Sequence, residues 1–272
     1  MGTAHSLARY PCHPRLAPFI EHYWTVSWDL PAPAAQVSAV LSHPAMHLTV
    51  EEGEGIRHGM ELPAALVHGV ATRRFEVELA GRGRVLGAKF RPGGFTALTG
   101  MCAADLTDAV VRAEAIWPDA RELTARALAA TDDAGRCGEL DAFLLGLAQP
   151  PDVRYPAVLD MVAAALTRRS ITTTARLAAS QGLGVRTVQR LTSRYVGVGA
   201  MWMIRRYRLH DALTELQADP WQNLADLAHG LGWYDQAHFT RDFSAAVGVS
   251  PARYADQRKA ATGIDARHRG SR

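Results

Sequence analysis

The sequence predicts an α+β fold in two domains, a β-rich domain followed by an all-α domain. The first hundred or so of the 272 residues hold short runs of β-branched and aromatic residues, separated by Gly, Pro and charged turns. From Leu106 onwards the spacing of apolar residues becomes helical. A proline-rich breaker, QPPD at 149–152, divides the chain. With 48% hydrophobic residues, a chain of this length can bury a core in each domain.

The N-terminal domain is expected to span residues 1–150. Its predicted strands lie in HYWTVSW, HLTVE, ALVHGV, RFEVELA and RVLGAKF, and a cupin-like barrel is one arrangement for them. Helices end the domain, because DARELTARALAA places Leu123, Ala127 and Leu128 on one side and ELDAFLLGLA follows.

Charge is distributed unevenly between the two halves. Residues 1–150 carry 13 Lys and Arg against 17 Asp and Glu, a net charge of −4, whereas residues 151–272 carry 17 against 10, a net charge of +7. An acidic half joined to a basic half is typical of a protein of which one part docks on phosphate. Residues 261–272, which include ARHRGSR, are expected to form a basic, disordered tail.

The basic half begins with TTTARLAASQGLGVRTVQRLTSRYVG. Thr172, Thr173 or Thr174 can cap a short helix, which the glycines of GLG end. A second helix then starts near Val185. Its inward residues, at helical spacing, are Val188, Leu191 and Tyr195. Its outward residues are Arg186, Gln189, Arg190 and Ser193.

A later segment, NLADLAHGLGWYDQAHFTRDFSAAVG, repeats this pattern. Gly232 ends its first helix, and Asp235 is a good cap for the next one. The inward residues of that helix are Phe239, Phe243 and Val247. Its outer or flanking residues are Gln236, Ala237, Thr240 and Arg241. In GVSP, Ser250 and Pro251 are suited to begin a last helix.

A long segment, GAMWMIRRYRLHDALTELQAD, connects the two repeats. As a helix from Ala200 to Ala218 it is about 28 Å long, at about 1.5 Å per residue. Successive major-groove entries on one face of B-DNA are about 34 Å apart, so this helix and the width of its neighbours can span one turn. Its three arginines are predicted to contact phosphates: Arg205, Arg206 and Arg208.

A short helix, a glycine turn and a second helix, twice over, indicate two helix-turn-helix units joined by a long helix. In such units the second helix enters the major groove of double-stranded DNA. Arginine suits the guanine edge and glutamine the adenine edge. By periodicity alone, an ordinary solvated helix face explains the outward residues equally well. The duplication favours base recognition.

Residues 155–260 resemble the DNA-binding domain of the AraC family of transcription regulators. The resemblance rests on ARLAASQGLGVRTVQR, on RRYRLHDAL and above all on LADLAHGLGWYDQAHFTRDFSAAVGVSPARY. It implies an all-α DNA-binding domain over residues 151–260. The base-reading positions of the family fall on Arg186, Gln189 and Arg190 in the first unit, and on Gln236, Ala237 and Arg241 in the second, with His238 beside them.

The first unit departs from the family pattern in three places. Gln181 stands where an apolar residue normally closes the short helix, and Thr192 stands where a buried phenylalanine is usual. GVGA at 197–200 replaces Gly-x-Ser-Pro. Polar side chains at core positions cost stability unless they find partners, so the second unit is expected to be the more specific reader.

The N-terminal half resembles a domain of unknown function found in front of such DNA-binding domains. The stretches concerned are RYPCHPRLAPFIEHYWTV, VLSHPAMHLTVE, GAKFRPGGFTALTG and LTDAVV. By analogy with AraC-type regulators, it is expected to sense an unidentified small-molecule effector, to form a homodimer, or both. RNA polymerase is a further candidate partner. A regulator without a ligand, controlled by its abundance or by a protein partner, is another hypothesis.

An enzyme with a metal- or cysteine-dependent N-terminal activity is the alternative of a different class. The candidate metal ligands, near Glu51 and Glu52, are His43, His47, His58 and His68. Pro44 interrupts the strand alternation, and the ligand spacing of a cupin metal site is missing. We therefore expect scattered histidines, no metal and no cofactor.

Two further motifs are weak. PCHP around Cys12 is similar to the Pro-Cys-His-Arg of DNA alkyltransferases, but Pro14 replaces the arginine. FRPGGF at 90–95 lacks the Lys-Ser of a phosphate loop and is better explained as a tight turn. We therefore expect no catalytic residue.

The remaining features favour the cytoplasm. No apolar run reaches about 18 residues, so no membrane span is expected. The N-terminal stretch lacks the apolar segment of a secretory signal. The three cysteines, Cys12, Cys102 and Cys137, are far apart, which suits a reducing compartment.

Overall fold

The structure is a computed structural model and describes residues 5–31, 35–150 and 152–269. It confirms the predicted α+β class: strands are followed by a helical C-terminal part. Each of the five strand segments predicted from the sequence overlaps an observed strand; ALVHGV runs two residues past the end of its strand, and RFEVELA starts one residue before its strand.

The chain divides into two compact units. The first unit is formed by Met1–Asp160 and Gln189–Gly199, and the second by Met161–Val188 and Ala200–Arg272. This division differs from the boundary expected between residues 150 and 151. The physical reason is that the first turns of a helix starting at Tyr155, and the segment Gln189–Gly199, pack with the N-terminal part of the chain.

The first unit is built on antiparallel strands. Those of the described residues are β1 (His5–Tyr10), β2 (Ile20–Asp29), β3 (Ala35–Val40), β4 (His47–Gly53), β5 (Ile56–Arg57), β6 (Met60–Glu61), β7 (Ala64–His68), β8 (Phe75–Ala80), β9 (Arg82–Phe90) and β10 (Val110–Arg112). Six of them form a sheet in the order β1-β2-β9-β4-β7-β10. β3 pairs with β8, and β5 pairs with β6.

Helices cover one face of this sheet. They are α2 (Ala120–Ala129) and α3 (Asp133–Leu147), and a shorter helix, α1 (Gly94–Thr99), follows β9. From β2, Tyr23 donates a hydrogen bond to Asp141 of α3 at 2.7 Å, and Thr25 donates to Asp133 at 3.0 Å. Leu123 and Ala127 of α2 are buried, as their spacing predicts.

The opposite face carries aromatic and polar side chains. Because side chains alternate along a strand, β4 directs Thr49 and Glu51 to the face opposite Leu48 and Val50. A small apolar cluster on this side joins residues of β2, β8 and β9: Trp28, Leu30, Leu79 and Val85. Strand β8 therefore covers part of the face that α2 and α3 leave open.

The second unit is helical. Its helices are the later part of α4 (Tyr155–Thr167), α5 (Thr174–Ser180), the start of α6 (Val185–Leu191), α7 (Ala200–Ala218), α8 (Leu224–Gly230), α9 (Gln236–Val247) and α10 (Pro251–Arg269). The long helix predicted from Ala200 to Ala218 is α7, with both ends as expected.

The disordered tail expected over residues 261–272 stays a prediction. Helix α10 is assigned through Arg269, and residues 270–272 lie outside the described part of the chain. The segment contains no proline, and the alanines at 260 and 261 favour helix, so nothing in the local sequence ends α10 at residue 260.

Candidate nucleic-acid interface

Two matching glycine turns define the helix-turn-helix units. Gly182 follows α5 and Gly232 follows α8, with φ of +64° and +89°. In each turn the amide of the next residue donates to a carbonyl of the preceding helix. The bonds are Leu183 to Ala178 at 3.0 Å and Trp233 to Ala228 at 2.9 Å. Both turns therefore have the left-handed glycine cap that ends helices, and the backbone of the turn is the same in both units.

Side-chain caps start three of the four helices. The Thr173 hydroxyl accepts from the amide of Arg176 at 3.2 Å, which settles which of the three threonines caps α5. Asn223 caps α8. Asp235 accepts from the amide of His238 at 2.7 Å, and this confirms the cap predicted for α9.

Helix α9 is fixed from behind by aromatic side chains. Phe239 and Phe243 are fully buried, with ring centroids 5.5 Å apart. Trp233 lies 5.0 Å from Phe239, and its indole nitrogen donates to Asp242 at 2.9 Å. These contacts hold the orientation of the helix, so its opposite side is presented in a defined way.

The opposite side of α9 carries the residues predicted to contact bases. Gln236, Ala237 and Arg241 are exposed. His238 is half-buried, and its Nε2 lies 3.4 Å from an Asp242 oxygen. The structure thus brings three of the four side chains to solvent and turns the fourth towards its own helix.

In the first helix-turn-helix unit, Val188 is buried whereas Arg186, Gln189 and Arg190 are exposed. Ser193 is half-buried and lies in the π-helical turn that follows α6, Thr192–Val196. Of the four residues predicted to face DNA, three therefore lie on α6 with exposed side chains, and Ser193 lies beyond the helix.

Thr192 and Gln181, the two polar residues expected in the core of the first helix-turn-helix unit, differ in burial. Thr192 is fully buried, and its hydroxyl donates to the Gln189 carbonyl at 3.2 Å. Gln181 is only half-buried and ends α5, where its amide donates to Ser180. The expected core position of Gln181 is a correction, because the helix ends at this residue and its side chain reaches solvent.

The chain that follows α6 packs within the first compact unit, the one formed by Met1–Asp160 and Gln189–Gly199. The Thr96 hydroxyl of α1 donates to the Arg194 carbonyl at 3.1 Å. The Tyr195 hydroxyl donates to Asp152 at 2.6 Å, and the Thr107 hydroxyl donates to the Gly197 carbonyl. Sequence reasoning missed this packing, since its partners are about forty to a hundred positions apart and leave no local signal.

Three arginines line one cleft of the first compact unit, and the cleft has a volume of about 410 Å³. Its lining residues are Cys102, Arg154, Arg190, Leu191, Ser193 and Arg194. Guanidinium groups bind phosphate and carboxylate oxygens well, so this cleft extends the basic character of α6.

The arginines of α7 are only partly where the sequence predicts them. Arg205 is exposed, but Arg206 and Arg208 are 4% and 2% exposed, so the expected phosphate contacts of these two are wrong. Arg206 stacks over the ring of Trp202 at 4.5 Å. Arg208 pairs with Asp211 and donates to two carbonyls at the end of α4, those of Ala165 and Arg168. The positive charge of Arg208 interacts favourably with the C-terminal end of α4, where the helix dipole is negative.

The cysteine motif lacks the features of a nucleophile. Burial, together with the charge of Asp141, raises the pKa of the Cys12 thiol. The thiol donates to the Ile20 carbonyl at 3.9 Å. A catalytic cysteine needs a lowered pKa, so this environment acts in the opposite direction.

The expectation of scattered histidines is wrong for two of the four. His58 and His68 both approach Glu51, which the sheet register and a tight turn bring together. His47 is the cross-strand partner of His68, and its ring accepts a hydrogen bond from the Trp24 indole at 3.2 Å. The local sequence could not show this convergence, because it depends on pairing between distant strands.

Among the helices of the described residues, none is both long and apolar enough to cross a membrane.

Comparison with family models gives two matches. Residues 8–112 match a domain of unknown function, and residues 177–257 match a helix-turn-helix domain. Two parts of the prediction are therefore confirmed: a helix-turn-helix domain near the C-terminus, preceded by an uncharacterised domain. No curated protein gives a significant match.

Several solved structures are similar to this chain. A transcriptional regulator from Chromobacterium violaceum with an AraC-type DNA-binding domain is 20% identical, over 38% of this chain and 92% of that one, with a TM-score of 0.35. ToxT from Vibrio cholerae is 10% identical, over 93% and 98% of the two chains, with a TM-score of 0.44. ToxT bound to an unsaturated fatty acid is 11% identical, over 93% and 95%, with a TM-score of 0.37. The helix-turn-helix match supports a DNA-binding transcriptional regulator.

Proposed function

We propose that this protein is a sequence-specific transcriptional regulator that recognises two adjacent major-groove segments, one with α6 and one with α9. The observation that carries the proposal is the outer side of α9. Gln236, Ala237 and Arg241 are exposed on a helix whose other side is locked by Phe239 and Phe243. A rigid helix with a polar outer side is what base recognition needs, since affinity depends on side chains held in place.

Docking begins with charge. The C-terminal half has a net charge of +7, which attracts the phosphate backbone and makes binding dependent on salt. Arg205 is the exposed arginine of α7 suited to phosphate, and the arginines that line the cleft beside Arg190 add to this attraction. These contacts position the protein without selecting sequence.

Base recognition follows. On α9, Arg241 is assigned to a guanine and Gln236 to an adenine, while Ala237 offers only a methyl contact. On α6, Arg186, Gln189 and Arg190 take the corresponding roles, and Ser193 and His238 lie at the flanks. Each well-placed bidentate contact discriminates against the wrong base by about 1–3 kcal/mol.

A small-molecule signal would act through the segment Gln189–Gly199. This segment contains the end of the first recognition helix, yet it is held in the first unit by the hydrogen bonds of Thr96, Thr107 and Tyr195. A change in the N-terminal unit therefore reaches α6 directly. Homodimerisation through that unit, and contact with RNA polymerase, are further parts of the proposal, and a thermal-shift screen is the first search for the effector.

The test is selection of the full-length protein on a randomised duplex pool at about 150 mM salt. Two enriched patches about 10 base pairs apart are expected, one for each recognition helix. A single patch would remove α6 from the proposal. If no sequence is enriched, either by the protein alone or in the presence of compounds found in the thermal-shift screen, the proposed sequence-specific function is wrong.

Arginine variants then separate the roles. Arg241→Ala should weaken the selected site by about 1–3 kcal/mol, or about 5- to 150-fold, and relax preference at one base pair. Arg205→Ala should weaken all sequences alike and lower the salt slope by about 1. Arg121→Ala, whose side chain is 83% exposed in the N-terminal unit, is the matched control and should change neither. Equal loss on specific and random DNA for Arg241→Ala would make it a phosphate contact.

A further inference from the structure

Two imidazoles and a carboxylate meet inside the first unit. His68, at the end of β7, has its Nε2 3.3 Å from Oε1 of Glu51 on β4. His58 approaches the same oxygen, with its Nε2 at 3.8 Å. The exposed fraction of the three side chains is 13% or less. Three side chains of the types that bind metal ions therefore lie close together and largely buried.

The position of His58 is set by a strained turn. β5 and β6 are joined by His58 and Gly59, with φ of +53° and +75°. A two-residue hairpin loop with both residues left-handed strongly favours Asn-Gly. Outside glycine this conformation is uncommon, and asparagine, aspartate and histidine adopt it more often than other residues. The turn places the His58 imidazole against Glu51.

The distances fit a small cation. Zinc binds imidazole nitrogen and carboxylate oxygen at about 2.0–2.2 Å, so tetrahedral ligands are separated by about 3.4 Å. The two separations from Glu51 are 3.3 and 3.8 Å, and the three ligand atoms all lie within 4.8 Å of one another. The two separations from Glu51 are close to the tetrahedral value, and the two imidazole nitrogens, at most 4.8 Å apart, would approach each other around the ion.

Burial and close contacts shift the pKa of Glu51 and of His58. Burial alone would raise the pKa of Glu51, but the hydrogen bond and charge of His68, with Arg57 and His58, outweigh it and lower the pKa to about 2. Burial lowers the pKa of His58, against the charge of Glu51.

The surroundings support the carboxylate. Arg57 donates to Oε2 of Glu51 at 2.9 Å, and Thr49 donates to Oε1 at 3.0 Å. Phe75 stacks on the His58 ring, with centroids 5.6 Å apart. Arg57 thus holds the far oxygen and directs the near one towards the two imidazoles. Such supporting contacts orient metal ligands in known sites.

We propose that Glu51, His58 and His68 form a binding site for one divalent transition-metal ion, with Zn²⁺ as the preferred ion. Two imidazoles and one carboxylate are a ligand set that zinc accepts, with a fourth position left for water or another ligand. The same cluster without metal would be held by a proton on His68 Nε2, which lies 2.9 Å from the Thr49 hydroxyl. The two arrangements differ in whether the chain retains metal.

The experiment uses the untagged full-length protein, stripped with a chelator and dialysed against zinc chloride, with bound metal measured by mass spectrometry. One zinc ion per chain is expected for the wild type, and about none for His58→Asn and His68→Gln. His22→Gln is the matched control, because His22 on β2 also faces a carboxylate, Glu21, at 3.5 Å. It should retain the full amount.

His58→Asn also guards against misfolding. Asparagine suits the left-handed turn, so the metal-free variant should melt at the same temperature as the metal-free wild type or higher. Zinc should raise the melting temperature of the wild type and leave that of His58→Asn unchanged. A Co²⁺-loaded wild type should show the visible absorption of a tetrahedral site.

A wild type that retains no zinc, or His58→Asn and His68→Gln chains that retain as much as the wild type, would overturn the site. None of these measurements involves DNA, so their failure would leave the proposed regulator function untouched.

Discussion

The two helix-turn-helix units share their left-handed glycines, Gly182 and Gly197 in the first and Gly232 and Gly248 in the second. Yet two positions after the outward arginine of each recognition helix, the first unit has Thr192 where the second has Phe243. Both side chains are fully buried.

The difference lies in what completes each core. In the second unit the end of α9 is held by its own aromatic cluster, which continues from Phe243 to Tyr254 with centroids 5.9 Å apart. In the first, the chain beyond α6 is held by Thr96 and by the Tyr195–Asp152 hydrogen bond within the N-terminal unit. A duplicated turn therefore specifies the shape of the motif, while the core partners decide which part of the chain packs against it.

The largest expected effect breaks the second core. Phe243→Ala should lower the free energy of unfolding by about 3–5 kcal/mol, because a fully buried ring is removed. Thr192→Val should change it by about 1 kcal/mol, since the hydroxyl that donates to the Gln189 carbonyl is lost while the side chain keeps its size. Urea denaturation followed by circular dichroism measures both. Equal losses would mean that the two cores are equivalent after all.

The next effect tests the partner of the first core. Tyr195→Phe should lower stability by about 1–2 kcal/mol, because the hydroxyl bonds an ionised carboxylate. Asp152→Asn should cost a similar amount, and the double variant should cost less than the sum of the two. Strict additivity in this cycle would show that the pair does not hold the segment.

A smaller effect concerns the start of α9. Asp235→Ala should cost about 1 kcal/mol, because the amide of His238 loses its acceptor. Thermal unfolding measures the change. Asp235→Asn is the control and should restore most of the stability, since asparagine caps as well as aspartate. If both variants lose equally, the charge of Asp235 matters and the cap does not.

The smallest effect concerns the start of α6. The Gly184 carbonyl accepts from the amides of Thr187 and Val188, so Gly184 occupies the cap position without a side chain. A Cβ there meets no neighbouring atom, so Gly184→Ser should stabilise the chain by a few tenths of a kcal/mol. Gly182→Ser is the contrast and should destabilise it, because φ is +64° there. A loss for both would place strain at Gly184 too.

Much of the helical part could be predicted because its signals are local. The glycine turns, the Asp235 cap and both ends of α7 depend on neighbouring residues, and each was found where the sequence places it. The exposed side of α9 follows from the same periodicity, since Phe239 and Phe243 fix which side is buried.

The rest depends on distant partners. Arg208 is buried because carbonyls about forty residues earlier accept its hydrogen bonds, and no helical pattern within α7 reveals them. Likewise, His58 and His68 meet at Glu51 only through strand register and a left-handed turn. The division at 150 and 151 missed the segment Gln189–Gly199 for the same reason.

The segment Gln189–Gly199 restricts the exchange of domains between related proteins. If residues 1–150 of one regulator were joined to the DNA-binding part of another, the chain after α6 would meet residues at positions 96, 107 and 152 with which it did not evolve to pack. No single cut in the chain separates the two units, because α6 begins in one and ends in the other. Regulators of this build are therefore expected to diverge as whole chains, with substitutions in the α1 region matched by substitutions after α6, rather than by exchange of domains.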